Sequence, residues 1–351
     1  MPATSKKKSR RIGQLSPVVR ALIEYRKARG IQLDDPVFLE AGLSKTTVER
    51  LESGQNQPNL DTLERYAAAV GFTLSLRSKQ ESSDNLELRL QRTRVLTMFN
   101  HAGGVGKTSL TRDMGYLLHQ MGFRVLLIDL DGQANLTAWM GIPRPVLDSQ
   151  TAYPTIVSDD LDPRLPTPMN AYGVDIIPSN LHLATVDGVG IVGRLRRLQL
   201  AIRKLTEYDF VIIDAGPSLA NLSSIALTAA DELIVPMPVS AKGLEAIPGV
   251  LQAMERIKLE MNPNLKIGMF VLTQFDGKTL VDQAMLEQIQ ELCRTVAAVS
   301  EPLSTYAIYR ESIAANKPIP LMVEKHKAIE QLRAVAAQLL VALGIGERSA
   351  T

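Results

Sequence analysis

Residues 100–109 read NHAGGVGKTS, and a glycine cluster running into Lys-Thr leaves few folds open to a chain that carries it. Gly103, Gly104 and Gly106 allow consecutive backbone N–H groups to turn into one concavity, where a side chain would obstruct the approach of a ligand. Before the loop, RVLTMFN is a short apolar run of strand type. After it, Leu110, Met114, Leu117, Leu118 and Met121 recur at helical spacing until Gly122. Strand, loop and helix in that order is the setting in which a glycine loop binds phosphate, because the helix N-terminus adds the positive end of its dipole. Lys107 is then expected to reach the β- and γ-phosphates and the Thr108 hydroxyl to ligate Mg²⁺, with Gly103, Gly104, Val105, Gly106 and Ser109 completing the nucleotide site. The general pattern G-x-x-x-x-G-K-[S/T] asks for glycine five positions before Gly106, where this chain has His101.

Two further segments end apolar strands in carboxylates. FRVLLIDLDGQANLT carries Asp129 and Asp131 just beyond Val125–Ile128, and YDFVIIDAGPSL carries Asp214 just beyond Phe210–Ile213. Ligands of open α/β sheets bind beyond the carboxyl ends of the strands, so these acids are candidates for magnesium and water chemistry. The alternatives are a turn preference for the Asp129/Asp131 pair and a helix cap for Asp214.

Strand-like runs alternating with amphipathic helices from residue 94 onward predict a parallel α/β sheet flanked by helices, over 94–345. The polar stretch RSKQESSDN (77–85) opens a linker, 77–93, and a small all-α domain precedes it over 16–76, after a basic tail at 1–15. Two domains suit 351 residues, of which 45% are hydrophobic and 22% charged. The net charge of +2 means that any nucleic-acid affinity must come from local patches. One cysteine, Cys293, excludes an internal disulfide. With neither a signal-peptide pattern nor an apolar run of membrane length, the chain reads as cytoplasmic.

In the first block, Val18, Val19, Leu22 and Ile23 keep helical spacing up to Gly30. Asp35-Pro36 starts a short helix that runs to Gly42, Ser44 caps KTTVERLESG, and QPNLDTLERYAAAVG supplies a fourth helix. Two short helices joined at a glycine and a capping serine make a helix-turn-helix, whose second helix exposes its first turn to the major groove. Residues 16–76 resemble the Cro/lambda-repressor-like helix-turn-helix family, with the interval from Gly30 to Gly42 about one residue longer than usual. That resemblance implies DNA contacts from Lys45, Thr46, Thr47 and Arg50. A helical module kept for protein contacts is the alternative.

The second block resembles the ParA/MinD family of deviant Walker ATPases, in particular ParA-type partition proteins. Six segments in order carry the likeness: AGGVGKTS, LLIDLDGQANLT, YDFVIIDAGPSL, ADELIVPMPVSAKGLEAI, VLTQFD and YRESIAANKPI. The family loop reads [K/R]-G-G-x-x-G-K-[S/T], so His101 need not be glycine. Ala102 stands where the family has its signature lysine, which crosses a nucleotide-sandwich dimer to the partner's phosphates. Another cation must substitute, with neighbouring His101 as one candidate, or the dimer is weaker and turnover slower. Gly132 and Gly216 replace family prolines, and Ala134 replaces a glycine. The resemblance implies ATP and Mg²⁺ as cofactors, Lys107 and Asp131 as catalytic residues, with Asp131 positioning the attacking water, and Thr108, Asp129 and Asp214 around the metal. Adenine is expected near Thr273–Asp276. It also implies an ATP-dependent homodimer, slow hydrolysis stimulated by DNA and a ParB-type partner, sequence-independent DNA binding on the nucleoid, and no membrane attachment. Lys278 and Arg310 fall near positions used for that DNA contact. Arg194, Arg196, Arg197, Arg203 and Lys204 are a further basic group that an ordinary solvated helix face explains equally well. The N-terminal domain suggests that the protein also represses its own operon. An ATP-sensing repressor with little turnover is the rival reading.

Overall fold

The computed structural model describes residues 15–54, 58–72, 74–76, 86–88, 92–188, 193–217 and 221–345. Most of the basic tail and the polar stretch 77–85 lie outside the described residues. The chain begins with four helices: α1 (Pro17–Ala28), α2 (Pro36–Glu40), α3 (Lys45–Ser53) and α4 (Leu60–Ala69). Their ends follow local chemistry. Asp35 accepts a hydrogen bond from the Val37 N–H at 3.2 Å, Ser44 Oγ from the Thr47 N–H at 3.2 Å, and Asn59 Oδ1 from the Thr62 N–H at 2.8 Å. Gly54 closes α3 at φ 65°, a left-handed conformation that glycine adopts without a Cβ clash.

Inside this bundle Leu22, Phe38, Val48, Leu51, Leu63 and Tyr66 are buried, with Phe38 stacked on Tyr66 at 5.3 Å between centroids. A buried polar knot accompanies them: Arg26 meets Glu52 at 2.6 Å, and the Tyr66 hydroxyl donates to the same carboxylate at 2.7 Å. Each charged group there has a partner, as burial requires. A short antiparallel pair follows, β1 (Leu74–Leu76) with β2 (Leu86–Leu88), so part of the segment expected as linker is a strand.

The remainder alternates strand and helix: β3 (Arg94–Met98), α5 (Lys107–Gln120), β4 (Val125–Leu130), α6 (Asn135–Trp139), α7 (Tyr153–Val157), β5 (Met169–Ala171), β6 (Val174–Ile177), α8 (Arg197–Ile202), β7 (Phe210–Ala215), α9 (Asn221–Ala229), β8 (Glu232–Pro238), α10 (Ala241–Glu260), β9 (Lys266–Thr273), α11 (Leu280–Arg294), β10 (Ala298–Val299), α12 (Ala307–Ala314), α13 (Ile319–Met322) and α14 (Lys327–Ala342). Eight strands form one sheet in the order β10-β9-β8-β3-β7-β4-β6-β5, parallel except for β5. The central strands β4 and β7 are buried along their whole length, the pattern of a sheet covered on both faces. Among the described residues no helix is long and apolar enough to cross a membrane.

The helical bundle shares its core with the sheet domain. Helix α1 packs along α14, and the Tyr25 hydroxyl donates to the carbonyl of Ile345. Tyr25 meets Phe72 edge-on at 4.8 Å, Phe72 lies 6.2 Å from Phe123, and Phe123 meets Phe210 of β7 edge-on at 5.1 Å. Phe123 is 1% exposed and joins the aromatic run of the bundle to the sheet. Phe123→Ala is expected to cost about 3–5 kcal/mol and to split thermal unfolding into two transitions, which calorimetry would detect.

Candidate nucleotide and DNA sites

The phosphate loop connects β3 to α5, with Gly104 at φ 74° and Gly106 at φ 99°. Its shape is held from outside. The carbonyl of Gly103 accepts from Lys242 Nζ at 3.0 Å, that of Gly104 from Gln274 Nε2 at 2.6 Å, and that of Val105 from Thr273 Oγ1 at 3.0 Å. In a trans peptide the N–H points opposite to the C=O. Three carbonyls drawn outward therefore turn the N–H groups of Gly104, Val105 and Gly106 inward. Asn100 anchors the start of the loop, donating to the Pro236 carbonyl at 2.8 Å and accepting from the Ala102 N–H at 2.9 Å.

Lys107 is 7% exposed and folds across the loop, donating to the carbonyls of Asn100 at 2.8 Å and Ala102 at 3.0 Å. Burial lowers its pKa, the Asp214 and Asp131 carboxylates hold it up, and the nearby Lys242 adds to the lowering. Thr108 and Ser109 are half-buried in the first turn of α5.

The parallel ladder pairs Asp129 with Asp214 at the ends of β4 and β7, so the two acids emerge side by side. Both are buried, at 0% and 1% exposure. Asp129 Oδ2 accepts from the Thr137 N–H at 2.8 Å and hydroxyl at 2.7 Å, and its Oδ1 accepts from the Asp131 N–H at 3.2 Å. Asp214 Oδ1 accepts from Thr111 at 3.3 Å, whereas its Oδ2 is buried with no hydrogen-bond partner. Burial, then repulsion from Asp129, raises the Asp214 pKa to about 8, against the pull of Thr108 and Lys107. Burial also raises Asp129, to about 6, against the hydrogen bonds it accepts. Asp131 stands beyond them, half-buried, and accepts from the Gln133 N–H at 3.0 Å. A Cβ on Gly216 would come within 3.4 Å of the Asp131 carboxyl carbon.

An orphaned carboxylate oxygen beside a threonine hydroxyl, next to a second acid, is a donor set that suits Mg²⁺, which takes one or two carboxylates together with substrate phosphates. Thr137, Thr111 and Asn100 are partners that sequence reasoning gave no role, although all three lie in or beside segments it quoted. Of the residues expected near adenine, Thr273 and Gln274 brace the loop, and Asp276 pairs with Lys278 at 2.7 Å. His101 does not face the cradle: its ring packs on α10, where a Cβ on Gly249 would fall 2.4 Å from it. Ala134 caps α6 at φ 54°, a left-handed conformation that glycine adopts more readily than alanine.

The residues expected to meet DNA are dispersed. On α3, Lys45, Thr46 and Arg50 are exposed. Lys45 pairs with Asp34 at 3.0 Å, and the Thr47 hydroxyl lies 2.8 Å from Ser44 Oγ. Lys278 and Arg310 are exposed on the sheet domain. The basic group at 194–204 is largely engaged within the fold: Arg194 with Asp159, Arg196 with the Met261 carbonyl, Arg197 with the Thr155 carbonyl and Lys204 with Asp162. Arg203 alone of the five remains a candidate among the described residues.

Folded Asp214 holds its proton up to about pH 8, whereas an unfolded aspartate loses it near 3.8. The native state thus binds more protons across that interval, and stability of the nucleotide-free protein is expected to fall as pH rises through it. Asp214→Asn should flatten this decline while abolishing Mg²⁺-dependent nucleotide hydrolysis, as urea titrations at pH 5 and pH 8 and an activity assay would show.

A family model described as an AAA domain matches residues 93–267, and one described as helix-turn-helix matches residues 22–76. The chain is 38% identical over 259 residues to the "Probable plasmid-partitioning protein ParA" of Thermus thermophilus, covering 70% of this chain and 78% of that one. It is 30% identical over 204 residues to the sporulation initiation inhibitor protein Soj of Bacillus subtilis, covering 57% and 80% respectively. Cobyrinic acid a,c-diamide synthase of Mycobacterium smegmatis, solved with ADP and magnesium, superposes with a TM-score of 0.60 at 27% identity, over 73% of this chain and 97% of that one. McdA of Cyanothece in complex with ATP shares the fold, with a TM-score of 0.63 at 20% identity, over 72% and 97%. With a phosphate loop, two strand-end acids and a helix-turn-helix bundle in one chain, the protein belongs to the ParA/Soj-type partition ATPases of the ParA/MinD family.

Proposed function

We propose that the protein binds Mg²⁺-ATP, coats DNA as an ATP-dependent homodimer and is released when a ParB-type partner stimulates hydrolysis, so that plasmid or chromosome DNA is segregated. The observation that carries this reading is the unpartnered, buried Asp214 Oδ2 beside Thr108 at the mouth of the loop. A bound Mg²⁺ would supply neutralisation of the phosphate charge. The N–H groups of Gly103, Gly104, Val105, Gly106, Lys107, Thr108 and Ser109 cradle the phosphates. Lys107 swings from the Asn100 and Ala102 carbonyls onto the β- and γ-oxygens. Thr108, Asp129 and Asp214 would hold the metal. Asp131 orients the water whose oxygen attacks the γ-phosphorus in line as the bond to the ADP oxygen breaks. Phosphoryl transfer depends mainly on positioning and charge, so the alanine at position 102 favours slow basal turnover.

Lys278 and Arg310 supply sequence-independent DNA contacts on the sheet domain. Lys45, Thr46, Thr47 and Arg50 supply operator contacts through which the protein represses its own operon. The packing of α1 on α14 supports a second reading, an ATP-sensing repressor, since nucleotide-dependent change would pass through α1 to α3.

Fluorescence anisotropy of an unrelated duplex, titrated in Mg²⁺-ATP, in Mg²⁺-ADP and without nucleotide at two salt concentrations, separates the readings. The partition reading expects tight, salt-sensitive binding in ATP alone. It also expects Arg50→Ala to leave that binding intact while weakening operator binding by about 1–3 kcal/mol. Binding that ignored nucleotide would favour the repressor.

A further inference from the structure

Removing a cation from position 102 leaves the phosphate cradle with Lys107 as its one ammonium inside the loop sequence itself. A second ammonium reaches the loop from α10. Lys242 Nζ donates to the Gly103 carbonyl at 3.0 Å, on the residue next to Ala102. It is exposed, and none of the described carboxylates pairs with it, although Glu245 lies one turn along the same helix. Its placement is built into the backbone. Ser240 caps α10 by accepting from the Gly243 N–H at 3.4 Å. A Cβ on Gly243 would fall 2.0 Å from the Pro238 carbonyl oxygen, so glycine there lets the first turn press against the end of β8. Lys242, one residue earlier, is thereby held over the loop. The result is two like charges near each other, since Lys107 Nζ donates to the Ala102 carbonyl at 3.0 Å and Lys242 Nζ to the carbonyl of the next residue, Gly103, at 3.0 Å. Such repulsion is relieved when a polyanion enters between them.

We propose that Lys242 is the second cation that the site offers to phosphate, its ammonium moving from the Gly103 carbonyl on the outer side of the loop to the γ-phosphate in place of the lysine missing at Ala102. His101, the sequence neighbour that might have served, is turned away against Gly249. The Gly103 bond marks the resting position of the ammonium, and a γ-phosphate at the loop offers it charged acceptors in place of one neutral carbonyl. This inference rests on the nucleotide reading given above.

The test compares wild type, Lys242→Ala, Lys242→Arg, the double variant Lys242→Ala with Ala102→Lys, and Lys258→Ala as a control for charge removal on the same helix. ATP and ADP affinities are measured with Mg²⁺, together with hydrolysis and unfolding midpoints. Lys242→Ala is expected to weaken ATP about tenfold and to slow hydrolysis at least as much. ADP should be affected much less. Lys242→Arg and the relocated lysine should both recover most of the loss, and Lys258→Ala should match wild type. Unchanged ATP affinity and turnover in Lys242→Ala would overturn the proposal. So would an equal loss for ATP and ADP that neither arginine nor Ala102→Lys relieves, because that pattern belongs to a loop brace. Wild-type protein that bound no Mg²⁺-ATP would overturn the nucleotide reading itself, an outcome distinct from both.

Discussion

Two aspartates buried side by side at the ends of neighbouring parallel strands cannot both carry charge without repelling each other, and the sheet gives them no room to separate. The register that pairs Asp129 with Asp214 fixes this conflict, and the local chemistry resolves only half of it. Asp129 is answered by Thr137 and by the Asp131 N–H, while Asp214 keeps one oxygen without a partner. Native proteins rarely leave a buried polar atom unpaired, and a bound cation is one arrangement that satisfies a buried carboxylate oxygen. The loop from β3 rises next to β7, bringing Thr108 and Lys107 close to the Asp214 carboxyl group. Acid pair and glycine loop are thus two halves of one electrostatic arrangement, completed by a cation and a polyphosphate.

Support for the loop comes from far along the chain. Lys242, Thr273 and Gln274 draw successive loop carbonyls outward, and Asn100 ties its start to β8. Elsewhere the P-loop helix α5 carries a buried ion pair, Arg112 with Asp113 at 2.9 Å, whose two members are tied to the C-terminal helices by hydrogen bonds: Arg112 donates to Ser312 at 2.7 Å, and Asp113 accepts the Ile319 N–H at 3.0 Å. Helix α12, which carries exposed Arg310, is therefore joined through two hydrogen-bonded residues to the helix that begins at the phosphates. The bundle joins the same body through Tyr25, Phe72 and Phe123.

Sequence reading reached whatever short-range chemistry controls. The caps at Asp35, Ser44 and Gly54, the strands ending in Asp129 and Asp214, and the helix after the loop are all written within a few residues of where they act. Contacts across long separations were not legible. The Lys242–Gly103 bond spans 139 residues, and no periodicity in the sequence announces it. The same holds for the packing of α1 on α14, for the turning away of His101 and for the engagement of Arg194, Arg197 and Lys204 by residues 155–162. A basic run on a helix looks identical in sequence whether its charges face DNA or a neighbouring loop. Ala134 illustrates a third kind of silence, because its left-handed backbone is visible only once the chain is folded.

The account is tested most directly by titrating ATP calorimetrically into wild type and Asp214→Asn, each with and without Mg²⁺. It predicts that Mg²⁺ strengthens ATP binding to the wild type by at least tenfold, about 1.4 kcal/mol, and leaves Asp214→Asn almost unaffected. Equal Mg²⁺ dependence in both proteins would mean that the buried acid does not serve the metal, and would contradict the site described for this chain.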